Sequence, residues 1–393
     1  NYPGVLNNDP GVLAKIAAAH RIGKPVDGHA PGLKGTDAAA YAAHGITTDH
    51  ECFTLEEALD KIKEGMHIII REGSAAKNYE ALHTLLSTHP GKVMFCSDDK
   101  HPDSLAEGHI NQLCARAVAR GSDVCKVLKA ACINPVLHYK TSIGLLQPGD
   151  PADFIVVKNL TDFEVLQTYI KGTLVAENGK TLIEQVSVPV INNFQCSLRS
   201  ESDFAIPHHG EAFIPVIEAL DGQLITNALT ATPKVVNGQI VSDTDNDILK
   251  IIVVNRYHDA PIAKAFIKNT GIRSGAIASS VAHDSHNIVA VGTDDDSLCL
   301  AVNEVIRHGG GISAYSEGEM KILPLPVAGL MSNGDGFDIA EKYTDIDKFS
   351  KSKLGSTLQS PFMTISFMAL LVIPHLKLSD KGLFDGDTFK FVD

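Results

Sequence analysis

The chain has 393 residues, 44% hydrophobic and 21% charged, an ordinary globular composition that excludes a disordered polypeptide and suggests two or three domains. Lys and Arg number 34 against 47 Asp and Glu, a net charge of −13, which argues against a nucleic-acid partner because phosphate contacts need clustered basic side chains. No apolar run reaches the roughly 18 residues of a membrane span, so no membrane partner is expected. The 7 cysteines form no C-x-x-C pair and read as the thiols of a reducing, cytoplasmic compartment. The opening Asn1-Tyr-Pro-Gly lacks Met, a basic n-region and an apolar h-region, so no secretion signal is expected there.

Up to about residue 135, short apolar runs alternate with helical stretches. The spacing predicts a helix over 9–19, a short strand at 25–29, an Ala-rich helix over 36–44 and a strand over 45–50. Thr54 followed by Glu57 forms a capping-box pattern and starts a helix over 54–65. The β-branched run 66–71 reads as a buried strand, followed by a helix over 78–87, a strand over 92–97 and a helix over 106–120. Strands near 26, 47, 68 and 94 separated by helices argue for a parallel sheet, about half of a (β/α)8 barrel, in residues 1–135. Residues 136–190 read as a small β-sandwich segment, with a strand after the turn at 144–153 and two short strands around an Asn178-Gly179 turn. Residues 191–393 read as a C-terminal α/β domain, with strands at 239–241, 248–254 and 287–291 and a helix over 297–308.

Three metal-competent side chains fall at the C-terminal ends of successive predicted strands: His29, His50 and Asp98. In a βα barrel those ends form the reacting face, so residues distant in sequence converge there. Two His and a carboxylate can hold a divalent metal and leave positions open for water. The metal then generates hydroxide near neutral pH while a carboxylate moves the proton. A single His at a strand end is more commonly a hydrogen-bonded loop residue; it is the succession of three that points to a site. Asp99 is the alternative to Asp98, which ends the apolar run more directly.

The motifs Val26-Asp-Gly-His-Ala-Pro-Gly-Leu33, Thr48-Asp-His-Glu51, Ile70-Arg-Glu-Gly-Ser74 and Cys96-Ser-Asp-Asp99 resemble those of the bacterial adenine deaminases, metal-dependent amidohydrolases. The resemblance continues through Gly144-Leu-Leu-Gln-Pro-Gly-Asp-Pro-Ala-Asp153, Val281-Ala-His-Asp-Ser-His-Asn287 and Lys381-Gly-Leu-Phe-Asp-Gly386. It implies hydrolysis of adenine to hypoxanthine and ammonia at a binuclear centre of manganese or iron, with zinc as the alternative. It implies His29 and His50 as fifth- and sixth-strand ligands and Asp98 as the eighth-strand carboxylate that ligates metal and shuttles the proton. The family's first-strand His-x-His pair and fourth-strand bridging Glu have no counterpart here. The chain therefore resembles the C-terminal two-thirds of such an enzyme, and an N-terminal complementary chain and a homo-oligomeric assembly are the expected partners besides the purine.

Arg71, Glu72 and Ser74 read either as substrate-pocket contacts or as a salt bridge and helix cap. Asp99, His283 and His286 are further substrate-binding candidates, the two histidines alternatively belonging to a polar loop. Glu51 is assigned only a hydrogen bond to its neighbour, and His101 and His109 read as solvent or helix-cap residues. The competing readings are a cyclic-amide hydrolase of the same superfamily and a non-catalytic subunit.

Overall fold

The computed structural model describes residues 2–392. They form two compact units. One runs to Lys100 and resumes at Glu107–Val186; the other comprises His101–Ala106 and the chain from Ser187 onward.

The first unit begins with α1 (Tyr2–Leu6), α2 (Pro10–Arg21), α3 (Gly35–Ala43), β1 (Thr48–Asp49), α4 (Leu55–Lys63) and β2 (His67–Arg71). It continues with α5 (Tyr79–Leu82), α6 (Leu85–Thr88), β3 (Val93–Cys96), α7 (Pro102–Glu107, which crosses into the second unit), α8 (Ile110–Ala119), α9 (Val124–Leu128) and α10 (Asn134–Tyr139). Thr48 pairs with His67 and Ile68 with Val93, both in parallel register, and a parallel bridge joins Val26 to Ile46. The result is an open parallel row in sequence order, at the positions expected from the sequence. Ile68, Ile70, Val93 and Phe95 pack with Leu82, Leu113 and Val127 in one core, while Ile46 joins Ala30, Leu33, Tyr41 and Met66 in another.

Several expected elements are shorter than predicted. The strand at 25–29 shrinks to the single bridge at Val26. Pro25 has no N–H to give a ladder, and side-chain bonds replace the rest: Thr48 Oγ1 donates to Asp27 Oδ1 at 2.7 Å and accepts from Gly28 N at 3.1 Å. The helix expected over 78–87 divides into α5 and α6, and that over 106–120 breaks at Gly108, whose φ of 157° is not helical. Thr54 caps α4 through Glu57 N at 3.2 Å, but the Glu57 carboxylate turns to Lys61 and Gly32 N instead of closing the capping box.

The first unit also holds an antiparallel sheet of β4 (Phe154–Val157), β5 (Val165–Ile170), β6 (Thr173–Glu177) and β7 (Lys180–Thr181). The Asn178-Gly179 turn lies between β6 and β7. A second turn at Lys171-Gly172, both residues at positive φ, divides the expected first strand into β5 and β6.

In the second unit, β8 (Ile214–Ala219), β9 (Thr226–Ala231), β10 (Lys234–Val236), β11 (Gln239–Val241), β12 (Ile248–Val254) and β13 (Ala263–Lys268) are followed by β14 (Ala276–Ser279), β15 (Ile288–Gly292), β16 (Gly311–Ser316) and β17 (Glu319–Pro324). All but the β10–β11 hairpin join one sheet in the order β17-β16-β14-β15-β12-β13-β8-β9, in which only the β13–β8 pair is parallel. Leu298, Ala301, Val302 and Val305 of α11 (Asp295–Arg307) pack against Ile252, Ala276 and Ala278. Helices α12 (Gly336–Ser352) and α13 (Pro361–Phe367) and the strand β18 (Leu376–Ser379) follow. No helix among the described residues is long and apolar enough to cross a membrane.

Lys377 of β18 is fully buried, with its Nζ donating to Leu224 O at 2.6 Å. Burial pushes its amine down to about 7. The unfolded chain therefore binds the extra proton between that value and the ordinary lysine pKa. Stability rises as pH climbs through this window and is fully penalised below it, by on the order of 4–5 kcal/mol. Lys377→Met is expected to raise the thermal midpoint at pH 6 and to gain much less at pH 10, as read by calorimetry. An equal gain at both pH values would show that the amine does not titrate in the fold.

Candidate active site

The C-terminal ends of the parallel row carry one continuous polar cluster. His29 follows the Val26 bridge, His50 and Glu51 follow β1, Arg71 ends β2, and Asp98 and Asp99 follow β3. The backbone is shaped to bring them in. A Cβ on Gly28 would lie 2.0 Å from Thr48 O, so only glycine lets the His29 loop run this close to β1. A Cβ on Gly73 would meet Asp99 O at 2.7 Å and Ser97 O at 3.0 Å, which brings the turn after Arg71 against the Asp98 loop. Asp98 itself adopts φ 50°, a left-handed conformation that Asp and Asn tolerate better than most residues. Asn78 ties the strand ends together: its Oδ1 accepts from Arg71 N at 2.7 Å, and its Nδ2 donates to His50 O at 3.2 Å and Cys52 O at 3.1 Å.

Glu51 is at the centre. Its Oε1 lies 3.6 Å from His29 Nδ1 and 3.5 Å from His50 Nε2, and it accepts from Arg71 Nη1. His50 Nε2 is 3.2 Å from Asp98 Oδ2, which also pairs with Arg71 Nη1 at 2.9 Å. Asp99 Oδ2 stands 3.8 Å from Arg71 Nη2. The two imidazole rings are 5.5 Å apart, and His29 N donates to the buried Tyr41 hydroxyl at 3.1 Å. Burial, reinforced by His50, pushes the His29 imidazole down to about 4, which keeps it neutral and a competent ligand near pH 7. Burial pushes the Glu51 carboxyl up to about 7 against the opposing pull of Arg71.

The residues fit a divalent metal. The ligand-bearing atoms of His29, His50 and Glu51 all lie within 4.8 Å of one another. Glu51 Oε2 is buried without a hydrogen-bond partner among the described residues, a lone pair that a cation would satisfy.

The structure thus brings together His29, His50, Asp98, Arg71 and Asp99 of the sequence-predicted set. Ser74 N donates to Asp99 O at 2.8 Å and braces the Asp98 loop by its backbone. Glu72 turns elsewhere: it accepts from Tyr79 N at 3.2 Å and from Arg116 Nη1 at 2.8 Å, the salt-bridge reading of that residue. His283 and His286 belong to the second unit, where His283 Nδ1 shares a 2.7 Å hydrogen bond with Ser366 Oγ and stacks on Phe367. His101 stands directly before α7, where its carbonyl accepts from Leu105 N at 2.9 Å as a cap residue does, and its ring Nδ1 also meets the Tyr343 hydroxyl at 2.8 Å. His109 occupies the N-cap position of α8. Sequence reasoning undervalued Glu51 and missed Asn78. The unbroken polar run Asp49-His50-Glu51 at a strand end was a signal for the first, whereas nothing local marked the second.

Comparison with known proteins places this geometry in a class. The amidohydrolase family model matches residues 2–175, the segment that carries the entire cluster, and the adenine deaminase C-terminal domain model matches residues 223–390. The adenine deaminase of Salinibacter ruber is 54% identical over 394 residues, covering all of this chain and 72% of its own length. Those of Sulfurovum sp. and Borreliella burgdorferi are 52% and 48% identical, again over all of this chain and 72% of theirs. The chain belongs to the adenine deaminase family. Among solved structures, a beta-aspartyl dipeptidase from Fervidobacterium islandicum is similar over 47% of this chain and 54% of that one, at 20% identity and a TM-score of 0.37.

Proposed function

We propose that this chain deaminates adenine hydrolytically, to hypoxanthine and ammonia, with His29, His50 and Asp98 as metal ligands and Asp98 as the proton carrier. The observation that supports it most is the meeting of His50, Asp98 and Arg71 at one strand-row end, with His50 Nε2 at 3.2 Å from Asp98 Oδ2. A bound divalent metal would acidify water to hydroxide near neutral pH. Water adds at purine C6, the C6–N bond breaks, and the amine leaves as ammonia. Asp98 takes a proton from the attacking water and returns it to the departing nitrogen. Arg71 offsets the charge of Glu51, Asp98 and Asp99 and holds the three carboxylates in place. Glu51 sits between His29, His50 and Arg71, and its buried carboxyl could complete the ligand set of the same ion.

The metal is manganese or iron, with zinc as the alternative. A second ion needs ligands that this sequence does not supply, since it contains no His-x-His. An N-terminal complementary segment is therefore part of the reading. The 7 cysteines are all free, in keeping with a cytoplasmic enzyme.

The test supplies the chain with the N-terminal part of a relative's adenine deaminase, in the presence of Mn(II) or Fe(II). The chain alone is expected to consume little adenine, and the completed protein to convert it with release of ammonia. A completed protein that is inert toward adenine yet opens a cyclic amide such as dihydroorotate would overturn the reading.

A further inference from the structure

Behind the strand ends lies a second cluster whose donors look like a metal cage. Ligand atoms of Asp49, Cys52 and Glu57 all lie within 4.8 Å of one another, and all three residues are buried. The centre is already taken by the side chain of Lys61 from α4. Its Nζ donates to Asp49 Oδ2, to Glu57 Oε1 at 2.8 Å and to Ala30 O at 2.6 Å, with Cys52 Sγ at 3.6 Å. An ammonium has three donors, and these three oxygens use all of them. The carboxylates pass the connection on. Asp49 Oδ1 accepts from Ala30 N at 3.2 Å and Glu51 N at 3.1 Å. Glu57 accepts from Gly32 N at 2.7 Å and Phe53 N at 2.9 Å. Every one of these backbone groups lies within a few residues of His29 or His50.

We propose that Lys61 is a positioning residue for the active site: one buried cation that clamps the loop carrying His29 to the strand end carrying His50 and Glu51. The proposal rests on the reading of His29 and His50 as ligands. It follows from where the bonds go. Ala30 is the residue after His29, Asp49 the residue before His50, and Glu51 the residue after it. Holding two ligands from different segments at a fixed separation is what a preorganised metal site requires. A neutral side chain of the same length would fill the space and leave Asp49 and Glu57 buried side by side without a counter-charge.

Hydrogen exchange with mass spectrometry on Lys61→Met decides the matter. Segments 28–33 and 49–53 are expected to exchange about tenfold faster or more, while β3 and the second unit keep their protection. Mn(II) affinity, followed by the electron paramagnetic resonance of the free ion, is expected to fall in parallel. Glu57→Gln keeps the cation, the volume and one acceptor oxygen; with that oxygen kept on Lys61 and Gly32 N, exchange is expected to speed at Phe53 alone, which serves if Lys61→Met does not fold. Unchanged protection at 28–33, or loss spread evenly over the first unit, would overturn the clamp. If His29→Ala binds Mn(II) as tightly as the parent chain, the ligand reading fails, and the exchange pattern still judges the clamp separately.

Discussion

Asp98→Asn is expected to lower kcat/KM for adenine by about 10³-fold in the completed enzyme, the scale of a lost proton carrier. The substitution is nearly isosteric. Asn also accepts the left-handed backbone that Asp98 adopts at φ 50°, so the loop should keep its course. What disappears is the anion that faces His50 Nε2 at 3.2 Å and Arg71 Nη1 at 2.9 Å. The expected signature is therefore a rate loss with a thermal midpoint close to that of the parent. His50→Ala should cost at least as much and also weaken metal binding. Steady-state adenine loss, read beside thermal unfolding, checks both. A variant that keeps the full rate would remove its residue from the site.

Arg71→Met should strongly destabilise the first unit. Arg71 is 2% exposed and faces Glu51, Asp98 and Asp99 together. Removing one partner from a buried ionic group typically costs about 3–5 kcal/mol, because the charges left behind cannot recover their water. Adding Glu51→Gln to Arg71→Met should return a large part of that loss, since the second change deletes the most buried of the stranded carboxylates. Urea unfolding of the single and double variants measures the recovery. If the double variant is no more stable than Arg71→Met alone, Glu51 does not depend on that guanidinium.

Much of this site was legible in the sequence because strand ends announce themselves. A β-branched run that stops at a polar residue, as in Ile68-Ile-Ile-Arg71, locates both the strand and the face on which its last side chain works. The same logic located His50 and Asp98. It failed where short-range pattern and tertiary bonding part company. The segment around His29 scarcely forms a strand, because the Thr48 hydroxyl, donating to Asp27 and accepting from Gly28 N, replaces the ladder. Lys61 illustrates the limit best. On an amphipathic helix such as α4 a lysine near the C-terminus reads as a solvated residue favoured by the helix dipole. Only the fold reveals that it is wholly buried on Asp49, because no pattern within the helix encodes a partner twelve residues upstream. Asn78 escaped for the same reason: its three bonds join β1 to β2 across the chain.

The short segment His101–Ala106 belongs to the second unit although the chain on either side of it belongs to the first. Within that unit His101 meets the hydroxyl of the buried Tyr343. Neither unit is thus a contiguous cassette. A gene fragment opened at Ser187 would leave His101 behind and strand that phenol, and a graft of this unit from one relative into another must carry the six-residue insert along with it.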